Sequence, residues 1–268
     1  MWVHDTATGL RDKRKADKPY AILSHTWDGA EQTFQDVEEI QNSIYHWLSR
    51  IHKHLKIRRA CAVAREHQLT HIWVDISCID KTNSTELSEA INSMFEWYRD
   101  AAVCYVYLPD VPSSGDHRHP GSAFRYSRWF TRGWTLQELL APRVVVFLSW
   151  DWKVIGTKED LADVITDITG IDRDVLTNKK PLDKVSVAAR MSWAAERSTT
   201  QVEDQAYCLL GIFGIVMPPI YGEGSNAFRR LQEEILRRIP DDSIFAWELM
   251  PEQRLASISS NSMVSVFS

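Results

Sequence analysis

The chain of 268 residues has no apolar run approaching the roughly 20 residues that a membrane-spanning helix needs, which argues against a transmembrane protein. Its N-terminus, Met1-Trp2-Val3-His4-Asp5-Thr6, lacks a basic stretch followed by an apolar one, so nothing reads as a secretory signal and the cytosol is the expected compartment. Cysteine is scarce. Cys61, Cys78, Cys104 and Cys208 stand far apart inside apolar patterns and never in CxxC spacing, which disfavours zinc frameworks and fits reduced core thiols better than disulfides. An excess of positive charge is missing too: the formal net charge of -5 argues against a general nucleic-acid binder, and Arg58-Arg59 and Arg237-Arg238 read as solvated helix faces. No internal repeat is visible. What remains is a globular composition, 44% hydrophobic and 25% charged with a mean hydropathy of -0.30, enough for a substantial core. Eleven tryptophans are many for this length, and several stand beside polar turns where they brace loops as well as fill the interior.

Hydrophobic patterning predicts strands alternating with helices. Residues 20–24 form a short apolar run ending in the turn His25-Thr26-Trp27-Asp28-Gly29. Helical spacing of Ile44, Trp47, Leu48, Ile51, Leu55, Ala62 and Val63 predicts a long helix over 44–67, with room for an interruption. A second strand is expected at 71–76, then a helix opened by a capping box of Asn83 and Glu86 and running through Asp100. Strands at 103–108 and 144–148 follow, separated by the Pro- and Gly-rich segment 109–121, expected to be a mobile surface loop. This alternation implies right-handed crossovers and a parallel sheet covered on both faces. Further on the pattern turns helical. A helix is expected over 157–168, a second capping box at Thr200-Gln201-Val202-Glu203, a turn at Gly222-Glu223-Gly224, and an amphipathic helix carrying Phe228, Leu231, Ile235 and Leu236 to Pro240. The resulting divisions are a lead-in at 1–17, an α/β core at 18–170, a helical part at 171–240, and a tail at 241–268. From Pro251 that tail reads as weakly ordered, or as the edge of a longer protein.

Chemistry concentrates in the block from Ser127 to Pro142, which packs Arg128, Trp129, Arg132, Trp134 and Glu138 into the entry of a short helix after a buried strand, where α/β proteins place ligand sites. Glu138 is the candidate catalytic carboxylate; its plainer reading is an outer-face glutamate paired with Arg132 or water. Glu138 falls at the margin of the stripe set by Leu136, Leu139 and Leu140, so periodicity leaves its burial open. Arg128 and Arg132, four apart, can together grip a pyrophosphate, or pair with nearby acids. Ser24, His25 and Asp28 stand at the carboxyl end of the first strand, the crevice side of such sheets, and Asp75 and Asp80 bracket the turn after the second. An aspartate in a turn often bonds its own backbone, and a lone histidine is often structural. Trp129, Phe130 and Trp134 read as a stacking wall for a base or as core. Glu203-Asp204 reads as helix-dipole stabilisation in a first turn. His117 and His119 beside Asp116 have metal-compatible spacing without a further ligand, so no metal is expected.

Five segments resemble the fungal heterokaryon incompatibility (HET) domain family: Tyr20-Ala21-Ile22-Leu23-Ser24-His25-Thr26-Trp27; Trp73-Val74-Asp75-Ile76-Ser77-Cys78-Ile79-Asp80-Lys81; Met94-Phe95-Glu96-Trp97-Tyr98-Arg99-Asp100-Ala101-Ala102; the 128–142 block; and Tyr221-Gly222-Glu223-Gly224. The similarity covers nearly the whole chain and is greatest to the N-terminal domains of vegetative incompatibility proteins. It implies non-self recognition, in which fusion of genetically different hyphae kills the fused cell. Gly133-Trp134-Thr135-Leu136-Gln137-Glu138-Leu139 is also similar to a motif of Toll/interleukin-receptor (TIR) domains, with Thr135 where plant members have cysteine. That likeness implies a TIR-like, flavodoxin-like parallel sheet flanked by helices with a C-terminal helical elaboration. It aligns Glu138 with the catalytic glutamate of TIR enzymes that cleave NAD. NAD would then be substrate, with no resident cofactor, Ser24, His25, Asp28, Asp75, Arg128, Arg132 and Trp134 would surround it, and the chain would self-associate or meet other incompatibility or NLR-type proteins. The competing expectation is a non-catalytic interaction module that acts by oligomerising, without nucleic acid or membrane.

Overall fold

The computed structural model describes residues 1–13, 18–27, 32–42 and 55–249. Seven strands are named in chain order: β1 (Trp2–Asp5), β2 (Arg11–Lys13), β3 (Ala21–His25), β4 (His71–Val74), β5 (Val103–Tyr107), β6 (Val145–Leu148) and β7 (Val154–Thr157). They form one sheet in the order β2-β1-β4-β3-β5-β6-β7. The four central strands run parallel, and every residue of β3 and β6 is buried, as expected of strands covered on both faces. Alternation within β3 divides the interior. Ile22 faces a layer with Trp73, Ile91, Met94, Tyr98 and Leu139, whereas Ala21 and Leu23 face Ile57, Ala60, Cys61 and Ala64 of the Leu55–Glu66 helix. The chain lays down β3, crosses to β4 on one side, then returns to β5 on the other, which creates a switch point beside the carboxyl end of β3.

The α/β class thus agrees with the sequence, but the sheet is mixed. Residues expected as a lead-in supply β1 and β2, antiparallel to each other and joined to β4 through His4↔Ile72 and Asp5↔His71. The turn between them is set by Asp5, whose Oδ1 accepts from the backbone of Ala7 and Thr8, and by Gly9 at φ +71. At the other edge, β7 is antiparallel to β6. It ends at Thr157, the first residue of the helix expected over 157–168; Asp160 accepts from Thr157, and the helix begins only at Ala162.

Other boundaries move for local reasons. Asn83 caps the Ser84–Asp100 helix by accepting from the backbone of Thr85 and Glu86. The strand expected to reach residue 76 stops at Val74, since Asp75–Cys78 turns helical. The helix Phe34–Asn42 was not foreseen, and the first part of the 44–67 prediction lies outside the described residues, as do Asp28 and residues 250–268. The loop expected to be mobile is tied down at its start, where Val111 is buried and accepts from Trp150, and where Asp110 accepts from Ser127 and Arg128. All four cysteines are buried free thiols. Among the described residues no helix is long and apolar enough to cross a membrane.

The C-terminal helices pack on the core at two close approaches. A Cβ on Gly211 would lie 2.0 Å from the Cβ of Phe95, so the Leu210–Phe213 turn touches the Ser84–Asp100 helix as only glycine permits. A Cβ on Gly133 would meet the Thr199 methyl at 2.5 Å and the Cys208 sulfur at 3.2 Å. The segment around Ser198 therefore lies against the entry of the Glu138 helix, joined by Gly133 N–H to Ser198 C=O at 2.9 Å.

Candidate functional site

Glu138 lies in the six-residue helix Thr135–Leu140, every residue of which is buried. A 3-10 turn, Arg128–Thr131, leads into it, with Ser127 Oγ accepting from the Trp129 backbone. Trp129 and Phe130 sink into the core and meet Phe124 and Phe147 edge to face, with ring centres 5.1 to 5.8 Å apart for Trp129–Phe130 and Trp129–Phe147. These two rings are core; Trp134 is the aromatic of the block that lines the cavity.

Two cations, Lys158 buried and Arg197 half-buried, hold the helix ends. Lys158, 2% exposed, donates to the carbonyls of Leu139 (3.1 Å) and Pro142 (2.6 Å) and to Asn178, capping the C-terminus where cations are favoured. Burial lowers its pKa to about 8. At the other end Arg197 donates to the Arg132 carbonyl and the Thr135 hydroxyl, both at 2.9 Å. Burial also lowers the Arg197 pKa, to about 10.

With its ends fixed, the helix turns Glu138 inward. Its residue is only 7% exposed, yet it lines a cavity of about 340 Å³ at the carboxyl ends of β3 and β4, beside the switch point. The Ser24 hydroxyl donates to Glu138 Oε2, and Ser24 Oγ accepts the Trp129 indole N–H at 2.7 Å. Burial raises the Glu138 pKa to about 8, with the charge of Asp75 pushing the same way and Ser24, Tyr98 and Arg197 opposing. The acid is therefore mostly protonated at neutral pH and poised to ionise when positive charge arrives.

The remaining expected residues divide. Ser24 is fully buried behind the carboxyl rather than on the cavity wall. His25 lines the cavity, its Nδ1 3.8 Å from Asp75 Oδ1, and Asp75 Oδ2 accepts from the Trp27 indole at 3.0 Å. Arg132 lines it as well and donates to Thr200 Oγ1 at 2.9 Å. Arg128 turns away to donate to Thr26 Oγ1, so the two arginines do not form one clamp on this wall. Asp80 accepts from Thr82 in its own turn and from Gln35 of the Phe34–Asn42 helix. His119 Nδ1 accepts from Gly121, and among the described residues no group of three or more potential ligands is arranged for a metal.

Sequence reasoning missed Lys81, Asp204 and Tyr221 on the cavity wall. Lys81 and Tyr221 stand inside segments already singled out, so their signal was present. Lys81 Nζ sits 3.5 Å from the centre of the half-exposed Trp27 ring. Asp204 was read as a dipole partner, but Glu203 and Asp204 diverge: Glu203 Oε1 accepts from the backbone of Gly222 (2.8 Å) and Gly224 (3.0 Å), whereas Asp204 faces the cavity and accepts from the Tyr221 hydroxyl at 2.9 Å. The opposite wall is apolar, made by Ile79, Leu87, Ile91 and Met94. One cavity thus joins three carboxyl groups, two cations and a hydrophobic floor, the mixture that ligand sites present.

Comparison with known proteins agrees with the resemblance. The family described as heterokaryon incompatibility protein (HET) matches residues 20–119, and a domain of unknown function (DUF8212) matches residues 226–264. The chain is 48% identical over 229 residues to the vegetative incompatibility protein HET-E-1 of Podospora anserina, a match covering 81% of this chain and 16% of that protein. It therefore spans about a sixth of that relative's length. Glu138 lies between the two family matches rather than inside either. No solved structure matches. The Tyr20–Trp27 and Trp73–Lys81 motifs fall within the first match and supply one side of the cavity, and with that match and this relative the chain is a HET-domain protein.

Proposed function

We propose that the chain is a signalling module of heterokaryon incompatibility that kills the cell by hydrolysing NAD, or a related nucleotide, when it self-associates in the cytosol. The inward-facing Glu138 at the strand tips carries this reading. A carboxyl with a pKa near 8, buried in a cavity that also holds cations and an apolar wall, is the arrangement expected of a site tuned for chemistry. The TIR-like reading of the Glu138 motif agrees with a central β4-β3-β5-β6 order, the 2-1-3-4 winding of flavodoxin-like sheets.

In the proposed reaction the bond between ribose C1′ and the nicotinamide nitrogen breaks, and its electron pair leaves with the neutral pyridine. No general acid is required. The positive charge that stays on the ribosyl ring is stabilised by Glu138, whose ionised form is favoured as soon as a cationic pyridinium ring lies beside it. Water then adds to C1′ and releases its proton to a cavity carboxylate. Lys81 and Arg132 stand ready for phosphate oxygens, and Ile79, Leu87, Ile91 and Met94 offer a surface for a ring.

A second reading, a non-catalytic module, is favoured by β7, an edge strand among the described residues whose Val154 is 60% exposed, and by Trp150 before it, 58% exposed. Expression in fungal cells separates the two. Death caused by the wild type and abolished in Glu138→Gln, at equal protein levels, supports the enzyme; equal killing by both supports the interaction module.

A further inference from the structure

Glu138 is a poor holder of sugar hydroxyls. It is only 7% exposed, and one of its oxygens is already taken by the Ser24 hydroxyl. Asp75 spends Oδ2 on the Trp27 indole, and its Oδ1, which has no hydrogen-bond partner among the described residues, is buried 3.8 Å from His25 Nδ1. Asp204 differs from both. Its carboxylate accepts from the Tyr221 hydroxyl, a rigid donor that takes part of the roughly four acceptor sites a carboxylate offers. The rest of the carboxylate is left toward the cavity.

The support behind Asp204 is elaborate. Glu203 clamps the Gly222–Gly224 turn through two backbone N–H groups, Glu223 accepts from the Tyr207 hydroxyl at 2.7 Å and from Arg230, and Tyr207 in turn accepts from the Ile220 backbone at 2.7 Å. These bonds fix the turn that presents Tyr221, and Tyr221 fixes Asp204. A half-buried carboxylate held this firmly, with acceptor capacity to spare, is preorganised for a ligand with donors. Adjacent hydroxyls of a ribose are such donors, and carboxylates bind them in other nucleotide sites.

Resting on the nucleotide reading above, we infer that Asp204 is the specificity-determining carboxylate that takes the ribose hydroxyls of the substrate, so that the site selects ribonucleotides over 2′-deoxy analogues. Glu138 is thereby left for the charge at C1′.

Calorimetric titration of the full chain with carbocyclic nicotinamide mononucleotide, which cannot be cleaved, and with its 2′-deoxy counterpart tests this. Wild type should prefer the ribo form by roughly ten- to hundredfold, the scale of hydrogen bonds to a charged group. Asp204→Asn should lose most of that preference. Tyr221→Phe, which leaves the carboxylate in place but loosens it, should lose part of it and decides the matter if Asp204→Asn does not fold. An undiminished preference in the folded variants, or equal binding of both ligands by wild type, overturns the role of Asp204 while leaving the cavity a nucleotide site. Binding of neither ligand by wild type overturns the nucleotide reading together with it.

Discussion

The Ser24 hydroxyl donates to the Glu138 carboxyl across 114 positions of sequence, and the same oxygen accepts the indole N–H of Trp129. This chain of three groups ties the tip of β3 to the helix that carries the acid. It also makes Trp129 a reporter of the acid's protonation state.

Stability should fall as the pH rises through the neutral range. Glu138 has an ordinary value of 4.5 and about 8 in the fold, so below 4.5 it is neutral in both states and the fold keeps its full stability. Between those values the unfolded chain releases a proton that the fold retains, and stability is lost until the folded group also ionises. At about 1.4 kcal/mol per pH unit, the loss by about pH 8 is on the order of 4 kcal/mol. Urea unfolding at about pH 5 and about pH 8 measures it. Glu138→Gln should flatten the dependence; an equal slope in the variant would contradict the assignment.

Ser24→Ala should cost about 1–3 kcal/mol, because the Trp129 N–H and a carboxyl oxygen both lose their partner in a dry interior. Since Ser24 lowers the Glu138 pKa, its removal should also move the midpoint above the wild-type value. Following the Glu138 side-chain carboxyl carbon resonance through a pH titration of wild type and variant reads the midpoint. A midpoint that stays in place or moves down would show that the hydroxyl does not face the acid.

Lys158→Met should destabilise the fold by about 2–4 kcal/mol, since the Leu139 and Pro142 carbonyls would be left buried without a donor. Thermal unfolding checks this. An unchanged midpoint would mean that the lysine does not cap the Glu138 helix.

Gly133→Ala should push the segment around Ser198 off the helix entry, because the new Cβ meets the Thr199 methyl at 2.5 Å. Overpacking of this kind costs about 1–3 kcal/mol. Thr199→Ser removes the obstructing methyl, so the double variant should regain part of the loss in a denaturation cycle. Simple additivity would place the strain elsewhere.

The residues also explain what could be read in advance and what could not. β3, β4, β5 and β6 were readable as apolar runs because strands covered on both faces carry such runs. The edge strands were not: β2 reads Arg11-Asp12-Lys13 and β7 contains Gly156, so neither announces itself by pattern. Glu138 could be picked out by its neighbours but not aimed, since a six-residue helix buried all round has no exposed face against which to set a stripe. Asp204 stands in the first turn of a helix as expected, but its place on the cavity wall was not legible, since only the long-range turn at Gly222 and Gly224 separates the tasks of Glu203 and Asp204. Arg197 and Lys158 act through backbone carbonyls distant in sequence, which leave no motif.

The most direct measurement is nicotinamide release from NAD by the purified chain, dilute and then concentrated on a scaffold. Concentrated wild type should release nicotinamide, and Glu138→Gln with an unchanged circular dichroism spectrum should do so about a hundredfold more slowly or less, the usual loss when a charge-stabilising group is removed. No release by the wild type in either state, or equal release by the variant, would contradict a catalytic Glu138.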